Sequence, residues 1–211
     1  MNMRKELRDR LCEKYPLLYS EIYNLNIKLN CEDGWYALLD TLSELIFERD
    51  PLAVISEVTK DNGGGLQVYM SMYDVDEDHD YIYGLTAMAN RVSEIICEKC
   101  SKYVPTCTEH HPDDKQNINV QVLDKIEVPL KFENTGKIWH EMSRIFYESV
   151  LNCTKEYNLP RVNFERIENK KGKLEIEITG CTEPFEAQLY MMLTYANKID
   201  PNTGEIVKIE S

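Results

Sequence analysis

The sequence predicts an α+β fold: two repeated helix-hairpin-helix modules, an antiparallel sheet with helices packed on it, and a cysteine-rich knuckle after the first module. Three observations lead there. Residues 54–70 and 162–178 align without gaps at an offset of 108, with coincidences at Val54/Val162, Glu57/Glu165, Gly64/Gly172 and Leu66/Leu174. Apolar side chains recur at helical spacing before and after both stretches. Four cysteine and histidine side chains then fall within fourteen residues, Cys97 to His110. With 211 residues, 43% hydrophobic and 29% charged, the chain can bury the core of one or two small domains and is neither disordered nor fibrous.

Residues 1–30 read as an N-terminal helical segment, because Leu7, Leu11, Tyr15 and Leu18 share a helical face and Pro16 kinks or ends the helix. This segment packs on the body or, in the lesser reading, offers an amphipathic face to a partner. The first module, 31–125, opens with Trp35, Leu38, Leu42 and Ile46 at i, i+3, i+7 and i+11, one face of a helix. Trp139, Met142, Phe146 and Val150 repeat that face at an offset of 104 in the second module, 126–211. Each helix leads into strand, turn and strand, since β-branched and aromatic residues flank Asp61-Asn-Gly-Gly-Gly65 and Asn169-Lys-Lys-Gly172, which accept positive φ. Leu85-Thr-Ala-Met-Ala89-Asn90-Arg91 then matches Met192-Leu-Thr-Tyr-Ala196-Asn197-Lys198 at an offset of 107, a second helix in each copy. A lone hairpin is marginal in water, so the two hairpins are expected to join in one four-stranded antiparallel sheet with helices on one face. Residues 111–125 are polar and contain Pro112, which reads as a linker. Asp200-Pro-Asn-Thr-Gly204 reads as a turn before a short last strand.

Charge narrows the function classes. Asp and Glu number 37 against 24 Lys and Arg, for a net charge of −13, and residues 32–96 alone hold fourteen acidic and three basic side chains. Such a surface is repelled by bare phosphate backbone and by anionic lipid, which disfavours generic nucleic-acid and membrane binding. The densest run, Asp74-Val-Asp-Glu-Asp-His-Asp80, reads as a solvated loop. An EF-hand is excluded, because His79 stands where the turn needs Gly and Leu85 where a bidentate Glu is needed. No apolar run approaches the ~18 residues of a membrane span, and the first residues lack the apolar core of a signal peptide. The expected location is therefore the cytoplasm, where seven cysteines favour metal ligation or burial over disulfides.

Cys97, Cys100, Cys107 and His110 follow the pattern C-x2-C-x6-C-x2-H. A two-residue gap lets one turn present both sulfurs to the same ion, and two such turns supply four ligands for tetrahedral zinc. The expected cofactor is structural zinc in a closed knuckle, with His110 preferred over His111 by spacing and with Lys99 and Lys102 offsetting the thiolate charge. The competing readings are a redox pair, small buried hydrophobes, or a Cys–His nucleophile that would leave the other thiols without a role. The second module has only the Asp-Pro-Asn-Thr-Gly turn at the corresponding place.

Lys14-Tyr15-Pro16, Cys31-Glu-Asp-Gly34-Trp35-Tyr-Ala-Leu-Leu-Asp40, Gly64-Gly65-Leu66-Gln-Val-Tyr69 and Met88-Ala-Asn-Arg-Val-Ser93 lead in order to Cys97-Glu-Lys-Cys100. Over residues 12–110 this series resembles small bacteriophage and prophage proteins with a C-G-D-G-W-like helix start, a G-G-L-R-F-Y-like hairpin and a knuckle closed by C-x2-H. Ser101 stands where those proteins commonly have Gly, and the loop before Cys107 is short. The resemblance implies zinc ligands and brings no catalytic residues.

The chain lacks a Walker phosphate loop, a G-x-S-x-G elbow, an H-E-x-x-H helix and a G-x-G-x-x-G fingerprint. Gly63, Gly64 and Gly65 read as a hairpin turn rather than an anion cradle. The first expectation is thus a non-enzymatic, zinc-stapled phage or prophage accessory protein that binds a host protein, with its acidic face set against a basic surface. The second is a small-ligand binder, for a nucleotide or signalling metabolite, with a pocket between the halves lined by Trp35, Tyr69, Tyr73, Tyr81 and Tyr83. The third is a nucleic-acid contact through the knuckle and its two lysines.

Overall fold

A computed structural model describes residues 2–24, 29–72, 75–110, 132–133, 135–156 and 161–207. Among them are six α-helices and two small sheets, a mixed helix and sheet architecture. Helix α1, Lys5–Lys14, stops just ahead of Pro16, and a short α2, Ser20–Asn24, follows. Leu11, Leu18, Tyr19 and Ile22 of this segment are buried in the core, and the Tyr19 hydroxyl shares a 2.8 Å hydrogen bond with Ser43 on α3. Helix α3, Tyr36–Arg49, buries the predicted face of Leu38, Leu42 and Ile46.

Strands β1, Val54–Lys60, and β2, Leu66–Ser71, form the first antiparallel hairpin, with a bulge at Ser56. The Asp61 carboxylate accepts hydrogen bonds from the Gly63 and Gly65 amides at 2.8 and 2.9 Å, so the side chain ties the turn that the glycines permit. Helix α4, Val75–Ser93, follows. It takes in most of the acidic run expected as a loop: Asp78 pairs with Arg49 of α3, and His79 stacks on Tyr83. Carboxylates in a first turn are favoured by the helix dipole, which is the local signal the loop reading overlooked.

In the second half, β3, Phe132–Glu133, runs parallel to β4, Asn163–Lys170, which pairs antiparallel with β5, Lys173–Thr179. Its bulge falls at Glu165, the third residue of its strand as Ser56 is of β1, and the Asn169 side chain accepts the Gly172 amide at 3.0 Å. Helices α5, Lys137–Glu156, and α6, Glu183–Ala196, complete the half, with Pro184 in the first turn of α6 where no amide is needed.

The two hairpins do not join. Among the described residues β1 and β2 form one sheet and β3, β4 and β5 another, so the expected four-stranded sheet is corrected to two. The reason lies in the helices, because α4 and α6 pack directly on each other. A Cβ at Gly84 would collide with the Pro184 carbonyl oxygen and come within 2.9 Å of the Ala187 Cβ. Each hairpin instead lies against a helix of its own half, β2 on α4 and β5 on α6, and buried residues of both halves form one cluster. Residues 111–125, the expected linker, lie outside the described residues.

Candidate metal centre

The end of α4 sets up the knuckle. Ile95 and Ile96 are buried, and an isolated antiparallel bridge joins Ile96 to Tyr103. Between them the chain reverses: the Lys102 carbonyl accepts the Cys97 amide at 2.7 Å, and the Cys97 carbonyl accepts the Ser101 amide at 2.9 Å. Ser101 takes φ 65°, the left-handed region that glycine adopts at no steric cost. A 3-10 turn over Val104–Thr106 then brings back Cys107, whose amide donates to the Val104 carbonyl at 3.0 Å.

These turns place the Cys97, Cys100 and Cys107 sulfurs and a His110 ring nitrogen within 4.8 Å of one another. Cys100 Sγ and Cys107 Sγ are 3.3 Å apart, and His110 Nδ1 lies 3.6 Å from Cys97 Sγ and 3.5 Å from Cys107 Sγ. Bond lengths of ~2.3 Å to sulfur and ~2.0 Å to nitrogen put the edges of a tetrahedral zinc site near ~3.8 and ~3.5 Å, close to these spacings. The four residues therefore fit a metal ion. Burial pushes the Cys100 thiol up to about 12. Burial opposes the Cys107 thiolate too, but hydrogen bonds from Cys100 and from backbone amides outweigh it and lower its pKa.

The knuckle is fixed to the body at several points. The Gly34 amide donates to the Glu98 carbonyl at 2.6 Å, and a Cβ at Gly34 would collide with the Cys97 and Glu98 carbonyls. The Glu98 carboxylate accepts the Glu32 amide at 2.9 Å and pairs with Lys60 at 3.0 Å, so one side chain links the turn to the start of α3 and to β1. The Trp35 indole donates to the Ile96 carbonyl at 3.0 Å.

No family model, curated protein or solved structure matches this chain.

The turn after α6 has the same backbone. The Asp200 amide donates to Glu205 at 2.7 Å, the Gly204 amide to Asp200 at 3.0 Å, and a bridge joins Ile199 to Ile206. Gly204 at φ 78° stands where the knuckle has Ser101. The Ile138 amide donates to the Pro201 carbonyl at 3.0 Å as Gly34 does to Glu98, and the Trp139 indole donates to Ala196 at 2.9 Å. In place of thiols, the Asp200 carboxylate accepts the Asn202 and Thr203 amides and the Thr203 hydroxyl at 2.8 to 3.1 Å. The two turns touch: the Tyr103 amide donates to the Thr203 carbonyl at 3.4 Å.

The aromatic residues offered for a ligand are placed differently from one another. Trp35 is buried and bonded as above, Tyr69 is exposed on β2, and Tyr81 lies under the Arg49 guanidinium on a shallow cleft with Tyr190. Tyr83 lines a cavity between the halves, and the cleft that Tyr81 lines also lies between α4 and the second half. Tyr73 and His111 lie outside the described residues, and Lys99 is exposed beside Cys100. Among the polar groups of that cavity, Asn90 and Arg91 lie in the repeated helix while Ser149 and Gln188 belong to no motif, and only a three-dimensional arrangement brings the four together.

Proposed function

We propose that Cys97, Cys100, Cys107 and His110 bind one zinc ion as a closed structural site, and that the protein is a non-enzymatic, zinc-stapled accessory protein of phage or prophage kind that binds a host protein in the cytoplasm. The carrying observation is the convergence of three sulfurs and one imidazole within 4.8 Å. Soft thiolates with one imidazole select zinc among the common divalent ions, and four protein ligands fill a tetrahedron without a position for water. The acidic, stapled scaffold without catalytic groups is what motivates a host-protein target, such as a component of a defence system, and the net charge of −13 favours a basic surface on it. We read the halves as a duplicated unit, supported by the coincident bulges, turn ties and knuckle hydrogen bonds, of which only the first copy keeps its ligands.

Native mass spectrometry of the purified chain tests the site: one zinc per chain, lost in Cys107→Ser, is expected. An intact chain without metal overturns it. Capture of a defined host protein from lysate at low salt, weakened at high salt, is the outcome expected for the partner; absence of any salt-sensitive partner removes that part.

A second reading is favoured by one observation, the open cavity of about 310 Å3 bordered by parts of both halves. A small ligand there would use Tyr83 but not Trp35 or Tyr69.

A further inference from the structure

The cavity is walled by the first hairpin, by α4, and by α5 and α6 of the other half, with Gln67, Tyr83, Asn90, Arg91, Ser149 and Gln188 on its surface. Its polar groups are unevenly satisfied. The Asn90 amide is spent on the Asp61 carboxylate at 2.7 Å and the Leu66 carbonyl at 3.0 Å, and Asp61 is in turn occupied by Asn90 and the turn amides. The Gln188 side chain is 4% exposed; its Oε1 accepts the Ser149 hydroxyl at 2.8 Å. Its Nε2 has no protein hydrogen bond among the described residues and is not one of the sealed, partnerless buried atoms, so it is open to whatever occupies the cavity.

Arg91 repeats the pattern with charge. Where acidic side chains outnumber basic ones 37 to 24, arginines readily find carboxylates, and Arg4, Arg8, Arg49, Arg144 and Arg166 all form ion pairs. Arg91, like Arg10 and Arg161, forms none among the described residues, and of these three only Arg91 lines the cavity, with Glu94 and Glu148 near enough to feel its field. The cavity thus offers a guanidinium, the Gln188 amide N–H and the Tyr83 hydroxyl, while its one carboxylate is turned into the hairpin. The guanidinium is the one cationic group on its lining.

We propose that this cavity binds a small oxyanion-bearing metabolite, carboxylate or phosphate, with Arg91 as the charge partner and Gln188 Nε2 as a hydrogen-bond donor. This deepens the small-ligand reading and rests on it. A volume of about 310 Å3 lies at the lower end of ligand sites and limits the occupant to roughly the size of a mononucleotide. The planar guanidinium suits the paired oxygens of either group.

Calorimetric titration of the full zinc-loaded chain with inorganic phosphate, citrate, adenosine monophosphate and adenosine tests the assignment. At least one of the three anions is expected to bind saturably and adenosine is not. Arg91→Gln, at an exposed position, is expected to weaken that anion roughly tenfold, as loss of a charge-assisted hydrogen bond does. Gln188→Glu keeps an acceptor for Ser149 but repels an anion, and is expected to weaken it at least as much. Unchanged melting temperatures in both variants separate this from loss of fold. Failure of all three anions, or undiminished anion binding in Arg91→Gln, overturns the proposal. Saturable binding of adenosine alone also overturns it while leaving a small-ligand cavity in place.

Discussion

The turns after α4 and α6 share their backbone hydrogen bonds and differ in what closes them. At 97–103 the side chains that fill the turn are thiols converging with Cys107 and His110, whereas at 200–206 one carboxylate bonds to the amides and hydroxyl of its own turn. A turn of this shape therefore does not require metal. What a metal adds is a connection between this turn and the separate one carrying Cys107 and His110, which the Asp200 turn has no means to make.

The largest break in the comparison is Cys107→Ser. It removes one of the four proposed ligands and leaves the Asp200 turn untouched, and loss of the proposed structural metal is expected to cost on the order of 5 kcal/mol and lower the melting temperature by about 10 °C or more. Differential scanning calorimetry with and without a chelator checks it, and the chelator should have no further effect on the variant.

Next is Gly204→Ala. A Cβ there would meet the Ser101 carbonyl oxygen, the Tyr103 amide and Ile138 Cδ1 at 3.1 Å, at φ 78°. A cost of about 2 kcal/mol is expected from the left-handed backbone and the crowding together, measured by urea unfolding. Because the contact crosses to the first knuckle, the variant should also release zinc faster.

Asp200→Ala removes three hydrogen bonds from an exposed turn and should cost about 1 kcal/mol in the same assay. The amides of Asn202 and Thr203 hold the Asp200 carboxyl below its ordinary value of 3.8. A lowered folded-state pKa means that its contribution is complete above that ordinary value and is lost as pH falls through the folded one. The Asp200→Ala and wild-type stabilities should accordingly converge below about pH 3.8.

The smallest effect sharpens the likeness. Ser101→Gly replaces a side chain at φ 65° with the residue that Gly204 already supplies, and should stabilise by about 0.5–1 kcal/mol.

Much of this was legible where the signal is local. The helix faces begun by Trp35 and Trp139, the glycine-bearing turns and the spacing of Cys97, Cys100, Cys107 and His110 depend on neighbours in sequence, and the first two reappear as α3, α5 and the hairpins. Strand partners were not legible. The same two hairpins can join or stay apart, and the choice is made by how closely Gly84 lets α4 approach α6. The acidic residues 76–80 were misread because composition speaks of solvation, whereas position at a helix start speaks of the dipole. Arg91 reads only as part of a repeated helix and Gln188 stands 97 positions further on, so their shared cavity needed coordinates.

Gly84 has a consequence for how the polypeptide could be divided. Its missing side chain is a notch into which Pro184 and Ala187 fit, and that match is written into two helices rather than into the stretch joining the halves. Two fragments, 1–110 and 132–211, would each carry one side of the fit, so they should find each other when produced together without any covalent tether.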